Sequence, residues 1–180
     1  MVFLETERLV LRNVKPEDSG ILYDYRNNPI CAQYQRGQTK DYAGIVTLVE
    51  AHKADVLSTE HPCLIAVADR NTDELVGEIV VMPSEDTFSF GYTFSYKHHR
   101  KGYAFEALSS LMAQLHQQYS GWEFICFTDP QNEASRKLLI KLGYKDMGYL
   151  PKRDSQIFGK HTTRETEAEV AQATGHSNDN

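Results

Sequence analysis

Apolar residues recur along this chain with two different periods, and the switch between them predicts a mixed fold of strands and helices. Short alternating or apolar runs predict a first strand between Leu4 and Val14 and five later strands. The later strands are predicted at residues 63–68, 75–82, 87–96, 123–128 and 144–150. Helical spacing of apolar residues predicts four helices, which begin near Lys15, Lys40, Lys101 and Asn132.

Turn and stop residues separate these elements. Asn28-Pro29 ends the first helix, because a residue before proline disfavours the helical region. The polar segment 69–73 predicts a hairpin between the strands that flank it. Gly143 follows the last helix, where glycine is the usual C-terminal residue.

Chain length and net charge limit the number of domains and the kinds of partner that the sequence allows. A chain of 180 residues with a net charge of −6 fits one domain, predicted at 1–160, and argues against nucleic acid as a partner. The polar tail 161–180 can bury little apolar surface, so we expect it to be disordered. There is neither a signal-peptide pattern nor an apolar run of the ~20 residues that a membrane helix needs. We therefore expect a cytoplasmic protein that does not contact membranes.

The three cysteines, Cys31, Cys63 and Cys126, are odd in number and far apart in the sequence. No two of them have the spacing of metal ligands, so we predict no metal site. Each is interpreted as a small buried residue.

The segment 90–108 carries the candidate chemistry. A strand leads directly into the basic turn His99-Arg100-Lys101-Gly102-Tyr103-Ala104 and then into a long amphipathic helix. The start of a helix presents unpaired N–H groups and a partial positive charge, both of which attract phosphate. Gly102 lets a ligand approach the backbone closely. The turn is therefore a candidate anion site.

Three sequence blocks together resemble the GNAT superfamily of acetyltransferases. The turn fits the superfamily's cofactor motif, Gln/Arg-x-x-Gly-x-Gly/Ala, with only His99 off the pattern. The block that opens with Asn132-Glu133-Ala134-Ser135 and ends at Gly143-Tyr144 resembles a second conserved helix. The opening Leu4-Glu5-Thr6-Glu7-Arg8-Leu9 resembles the branch that contains the ribosomal-protein N-terminal acetyltransferases.

The resemblance implies a fold class and a cofactor. The fold is α+β, a three-layer α/β/α arrangement with a mixed, mostly antiparallel central sheet and one splayed parallel strand pair. Acetyl-CoA is the implied co-substrate, with its pantetheine arm in the gap between the splayed strands. The residues implied in binding it are Phe94, Tyr96, Arg100, Lys101, Gly102, Tyr103, Ala104, Phe105, Asn132 and Ser135.

The implied reaction is direct transfer of an acetyl group to a primary amine, which needs a base for the amine and a proton for the departing thiol. Ser135 is the candidate donor to the thiol. Glu78 is the best-placed carboxylate for the base, and its alternative interpretation is a solvated strand residue. Tyr92 and His98 are weaker candidates, and Glu106 is interpreted as a helix-start charge.

The acceptor is left open between a protein N-terminal amine, a polyamine, an amino acid and an aminoglycoside. The segment 30–39 is expected to cover the acceptor side. Residues 155–161 precede a charged tail instead of a clear last strand, so the last strand is short, or the acceptor edge is incomplete or completed by a second subunit in a homodimer. That departure and the unassigned base keep a catalytically silent acyl-CoA-binding module as an alternative.

Overall fold

Within residues 1–160, eight strands form one sheet in the order β1-β2-β3-β4-β5-β6-β8-β7. Every neighbouring pair is antiparallel except β5 and β6, which are parallel. This computed structural model describes residues 1–160, so the tail predicted for 161–180 lies outside the described residues. The strands are β1 Val2–Glu5, β2 Leu9–Asn13, β3 Cys63–Asp69, β4 Leu75–Ser84, β5 Thr87–Phe94, β6 Glu123–Thr128, β7 Lys145–Leu150 and β8 Ser155–Lys160. The helices are α1 Ser19–Asn27, α2 Pro29–Ala32, α3 Tyr42–His52, α4 Tyr103–Gln118 and α5 Glu133–Lys141.

The first predicted strand is two strands joined by a tight turn. The Thr6 hydroxyl accepts a hydrogen bond from the Leu9 backbone N–H at 3.0 Å, and Leu4 pairs with Leu11 across the hairpin. No glycine or proline marks the turn, so the hydrophobic pattern predicted one continuous strand across it. The predicted hairpin between β3 and β4 is confirmed.

Helices cover both faces of the sheet. On one face α4 and α5 pack on the strands, with Leu108 and Leu139 buried there. On the other face α1 and α3 form a second apolar cluster through Leu22 and Ile45. The predicted three-layer fold with a mixed, mostly antiparallel sheet is therefore confirmed. Among the helices of residues 1–160, none has the length and apolar character needed to cross a bilayer.

The parallel pair β5 and β6 stays together over only part of its length. Pairing runs from Thr87 with Glu123 to Ser89 with Ile125. Beyond Ser89 the two strands diverge, while β5 remains paired with β4 as far as Phe94. This leaves a gap in the sheet at the carboxyl end of β6, as the resemblance implied.

The C-terminal strand corrects the expectation of an incomplete edge. β8 lies between β6 and β7 and pairs antiparallel with both. Its one fully buried side chain is Phe158, and this sparse burial gave the segment a weak strand pattern. The sheet is completed within the chain, so the reason for expecting a second subunit is removed, and a homodimer stays a prediction.

The three cysteines are buried and free, as predicted.

Candidate active site

A cavity of about 210 Å³ opens where β5 and β6 diverge. Its walls come from the segment after α2, from β5, from the end of β6 with the start of α5, and from β8. The lining residues are Tyr34, Gln35, Arg36, Phe90, Gly91, Tyr92, Phe127, Thr128, Asp129, Asn132, Ser135 and Ser155. The cavity therefore combines the predicted Asn132 and Ser135 with the predicted cover segment.

The backbone of β5 presents hydrogen-bonding groups to this gap. The Ser95 N–H donates to the Val76 carbonyl on β4 at 2.9 Å, and orientation alternates along a strand. The backbone groups of Phe90, Tyr92 and Phe94 therefore point away from β4 and toward the gap.

All three of these carbonyls already have side-chain partners, and the Phe90 carbonyl accepts from the Cys126 thiol at 3.8 Å. Gln35 Nε2 donates to the Tyr92 carbonyl at 3.1 Å, and His99 Nε2 lies 2.9 Å from the Phe94 carbonyl. Because a carbonyl oxygen only accepts, His99 carries its proton on Nε2. The N–H groups of Tyr92 and Phe94 remain as the donors that face the gap. His99, the one residue that departs from the cofactor motif, thus links the turn to the end of β5 through this hydrogen bond.

Ser135 has a partner that the sequence did not assign to it. The hydroxyls of Tyr92 and Ser135 lie 2.7 Å apart across the gap. Burial raises the pKa of Tyr92 well above its ordinary value, so the phenol is neutral at pH 7 and does not act as a base. Asn132 caps α5 by accepting from the Ser135 N–H at 3.1 Å, which fixes the position of Ser135.

The turn before α4 has the features expected of an anion site. Gly102 has φ +80° and Arg100 has φ +62°, and no side chain caps the helix. The first helical bond runs from the Glu106 N–H to the Gly102 carbonyl, so the preceding N–H groups lack partners inside the helix. A diphosphate would meet these groups and the exposed Arg100 and Lys101 side chains.

Glu106 holds the N-terminal hairpin against this turn. Its carboxylate accepts from the Thr6 hydroxyl at 2.6 Å and from Arg8 Nε at 2.7 Å. Arg8 Nη1 in turn donates to the Lys101 carbonyl at 2.9 Å. Burial opposes ionisation here, but the bonds from Thr6 and Arg8 outweigh it and lower the pKa of Glu106. The Thr6-Glu7-Arg8 block of the family resemblance therefore braces the cofactor turn.

The structure departs from the sequence prediction at Tyr96. The strand ends at Phe94, and Tyr96 opens a 3-10 turn over Tyr96–His98. Its carbonyl accepts from the His99 N–H, and its hydroxyl lies 3.4 Å from Asp24. The Tyr96 carbonyl is thus engaged by the His99 N–H, and the role predicted for the Tyr96 backbone in binding the cofactor stays a prediction.

Glu78 is not brought to the cavity either. It is 2% exposed, so its alternative interpretation as a solvated residue is wrong. Arg26 binds both of its oxygens, at 3.0 and 2.6 Å, and Gln38 donates to it at 3.2 Å. Burial raises the pKa of Glu78, and the Arg26 charge opposes the rise. A carboxylate held in this way has no oxygen free for an incoming amine.

Sequence reasoning did not single out several polar residues of the cavity wall. Gln35, Arg36 and Asp129 carried no motif, and Tyr92 was weighed only as a base. The alternation of β5 could have placed Tyr92 beside Ser135, whereas nothing in the sequence marks Arg36 as a neighbour of Asp129, 93 residues away.

Comparison with known proteins gives the family. The profile described as "Acetyltransferase (GNAT) domain" matches residues 8–145. The uncharacterized N-acetyltransferase YoaA of Bacillus subtilis is 26% identical over 153 residues, which cover 82% of this chain and 85% of that protein.

Solved structures show the same fold. A GNAT-family acetyltransferase from Bacillus anthracis superposes with a TM-score of 0.77 at 20% identity, covering 90% of this chain and 99% of that one. RimL, a ribosomal L7/L12 alpha-N-protein acetyltransferase solved with coenzyme A, superposes with a TM-score of 0.76 at 12% identity, covering 89% and 98%.

Proposed function

Because the chain belongs to the GNAT family of acetyltransferases, whose members are acetyl-CoA-dependent N-acetyltransferases, we propose that the cavity between β5 and β6 is where it acetylates a primary amine. Acetyl-CoA is the co-substrate and supplies an activated thioester. The acceptor is a protein N-terminal amine or a small-molecule amine. The fold that the chain shares with a ribosomal-protein acetyltransferase supports the first of these.

In this proposal, backbone donors hold the co-substrate. The open N–H groups at the start of α4 bind the diphosphate, with Arg100 and Lys101 adding positive charge. The residues in this role are Arg100, Lys101, Gly102, Tyr103, Ala104 and Phe105. Asn132 and the Phe94 N–H bind the pantetheine arm, and the Tyr92 N–H faces the carbonyl oxygen on which charge develops.

The observation that carries the proposal is the 2.7 Å contact between the Tyr92 and Ser135 hydroxyls at the cavity wall. Transfer forms a C–N bond and breaks a C–S bond, so the amine must lose a proton and the thiolate must gain one. Ser135 gives its proton to the thiolate and takes one from the Tyr92 phenol, which burial keeps protonated, and the water that removed the proton from the amine returns a proton to Tyr92. Glu78 is left out of the scheme because Arg26 occupies both of its oxygens, and water removes the proton from the amine.

The test replaces the two hydroxyls one at a time. Ser135→Ala should lower kcat about 100-fold, at the lower end of the range for general acid catalysis. Tyr92→Phe should lower it less, about 10-fold, because Ser135 can still recover its proton from water. The Kd of acetyl-CoA should stay within about twofold, because neither hydroxyl is needed for binding. Ser89→Ala, which lies on the same strand outside the cavity lining, is the matched control and should keep wild-type turnover.

The assay follows release of thiol from acetyl-CoA with a panel of amines. The panel holds peptides with free N-termini, polyamines, amino acids and aminoglycosides. Turnover that is unchanged in Ser135→Ala would remove Ser135 from the mechanism. Tight acetyl-CoA binding without turnover of any amine would identify a silent binding module instead.

A further inference from the structure

The wall of the active-site cavity holds one carboxylate and one cation among the described residues, Asp129 and Arg36. Arg36 Nη2 donates to Asp129 Oδ2 at 3.0 Å. The two side chains differ in exposure, with 21% for Asp129 and 52% for Arg36. The carboxylate is thus part of the wall, while the guanidinium reaches it from the solvent side.

Arg36 does not depend on Asp129 for its hydrogen bonds. Its Nη1 donates to the Arg153 carbonyl at 3.1 Å, and its Nη2 also reaches the carbonyl and Oδ2 of Asp154 at 3.1 and 3.2 Å. All three acceptors lie in the turn between β7 and β8, outside the cavity lining. Arg36 can therefore release Asp129 and stay paired with Asp154.

Asp129 is fixed in place by its other oxygen. Oδ1 accepts from the Gln131 N–H at 2.9 Å, and the Asp129 carbonyl accepts from the Asn132 N–H at 2.9 Å. Only Oδ2 depends on the removable Arg36. The guanidinium of Arg153 lies 4.6 Å from the centre of the Phe127 ring, and Arg153 does not line the cavity.

We propose that Asp129 binds the acceptor amine in its ammonium form and that the ammonium displaces Arg36, which then stays with Asp154. One cation replaces another on Oδ2, so no charge is left unpaired in the wall. The inference rests on the proposed function and specifies its acceptors: amines that enter as cations and carry no carboxylate next to the reacting nitrogen. Asp129 is a specificity-determining residue in this scheme.

The decisive experiment compares two acceptors in wild type and Asp129→Asn. One is a peptide N-terminal amine or alkylamine that is charged at the assay pH, and the other is aminoacetonitrile, which is largely uncharged there. Asp129→Asn should raise KM for the charged amine at least tenfold and leave KM for aminoacetonitrile within about twofold. The asparagine keeps the oxygen that accepts from Gln131, so the loop should hold its shape, and Asp129→Glu should recover part of the affinity.

Arg36→Gln should act in the opposite direction and lower KM for the charged amine, because it removes the competing cation. Asp154→Asn removes the carboxylate that retains Arg36 after displacement, and asparagine tolerates the φ of +47° at that position. Because Arg36 would then compete more strongly for Asp129, this variant should raise KM for the charged amine and leave KM for aminoacetonitrile within about twofold.

Equal losses for both acceptors in Asp129→Asn would mean that Asp129 is merely structural and would overturn the inference. A KM that rises only for amino-acid acceptors, and only in Arg36→Gln, would show that Arg36 binds the carboxylate of the acceptor. That result would also overturn the inference. In both cases wild-type turnover would leave the proposed function intact. Wild-type protein that turns over no amine would overturn the two together.

Discussion

The proposed function divides the cavity into a cofactor side and an acceptor side, and these two sides are built in different ways. The cofactor side is nearly continuous in sequence, because β5, the turn and the start of α4 follow one another. The acceptor side combines Arg36, Asp129 and Asp154, whose mutual contacts span 93 and 118 residues of sequence. One side mainly offers backbone N–H groups, and the other offers side chains.

This difference decides how each side tolerates substitution. Backbone donors persist through most side-chain changes, provided that the local φ and ψ are kept. Side-chain partners are lost with a single substitution. A change of acceptor specificity therefore needs only a few side-chain substitutions on the acceptor side. On the cofactor side, the turn restricts the choice of residue only at the few positions that need a particular φ and ψ.

The largest expected effect is on the cofactor side, at Gly102. Gly102→Val should weaken acetyl-CoA binding at least tenfold, because valine is strained at φ +80°. Its Cβ would also stand 3.4 Å from Arg8 Nη2 and crowd the approach to the helix start. Calorimetric titration with acetyl-CoA measures the change.

Two other glycines serve as controls for that strain. Gly148, at φ +103° in β7, and Gly37, at φ +67° in the cover segment, have no heavy atom within 4 Å of an added Cβ. Gly148→Val should leave acetyl-CoA affinity unchanged, and Gly37→Val should alter the amine KM alone. Equal losses of acetyl-CoA affinity in all three variants would contradict the division into two sides.

The same division explains what the sequence could predict. Periodicity located the helices and most strands, and the motif located the turn, since both features are local. Neither the periodicity nor the motif predicted the turn at Thr6, which lacks glycine and proline, or the placement of β8 between β6 and β7. Glu78 was predicted as the base from its placement on the strand next to β5, whereas the structure pairs it with Arg26, which is 52 residues away. Contacts set by tertiary packing leave no local signal.

A smaller effect is expected at the brace of the cofactor turn. Glu106→Gln should lower the free energy of unfolding at pH 7 by about 1–2 kcal/mol, because charge-assisted bonds to Thr6 and Arg8 are lost. The folded-state pKa of Glu106 lies below its ordinary value of 4.5. Its stabilisation is therefore present above that pH and lost as the pH falls through the folded-state pKa, so the two proteins should converge in acid.

Urea unfolding at several pH values measures this difference. The control is Glu133→Gln, which removes an exposed pair with Lys137 and should cost less than about 0.5 kcal/mol. A Glu106→Gln deficit that persists unchanged in acid would show that the carboxylate charge is not its source.

The smallest effect is expected at His99. His99→Ala removes one hydrogen bond to the Phe94 carbonyl, worth about 1 kcal/mol, and should weaken acetyl-CoA binding about threefold, because the Cys31 thiol at 3.4 Å still contacts that carbonyl. His99→Gln restores a side-chain N–H donor and should stay within twofold of wild type. If both substitutions weaken binding equally, the ring and not its hydrogen bond supports the turn.

The position of β8 also has a consequence for synthesis of the chain. A domain generally folds as a unit, and the order of pairing shows when this unit is complete: each of β2 to β5 pairs with the strand that precedes it. β7 pairs only with β8 among the described strands, and β8 follows it. A nascent chain that has just reached Leu150 therefore carries β6 with an open edge and β7 with no neighbour. Among the strands of residues 1–160, the last to leave the ribosome is the one that closes the sheet.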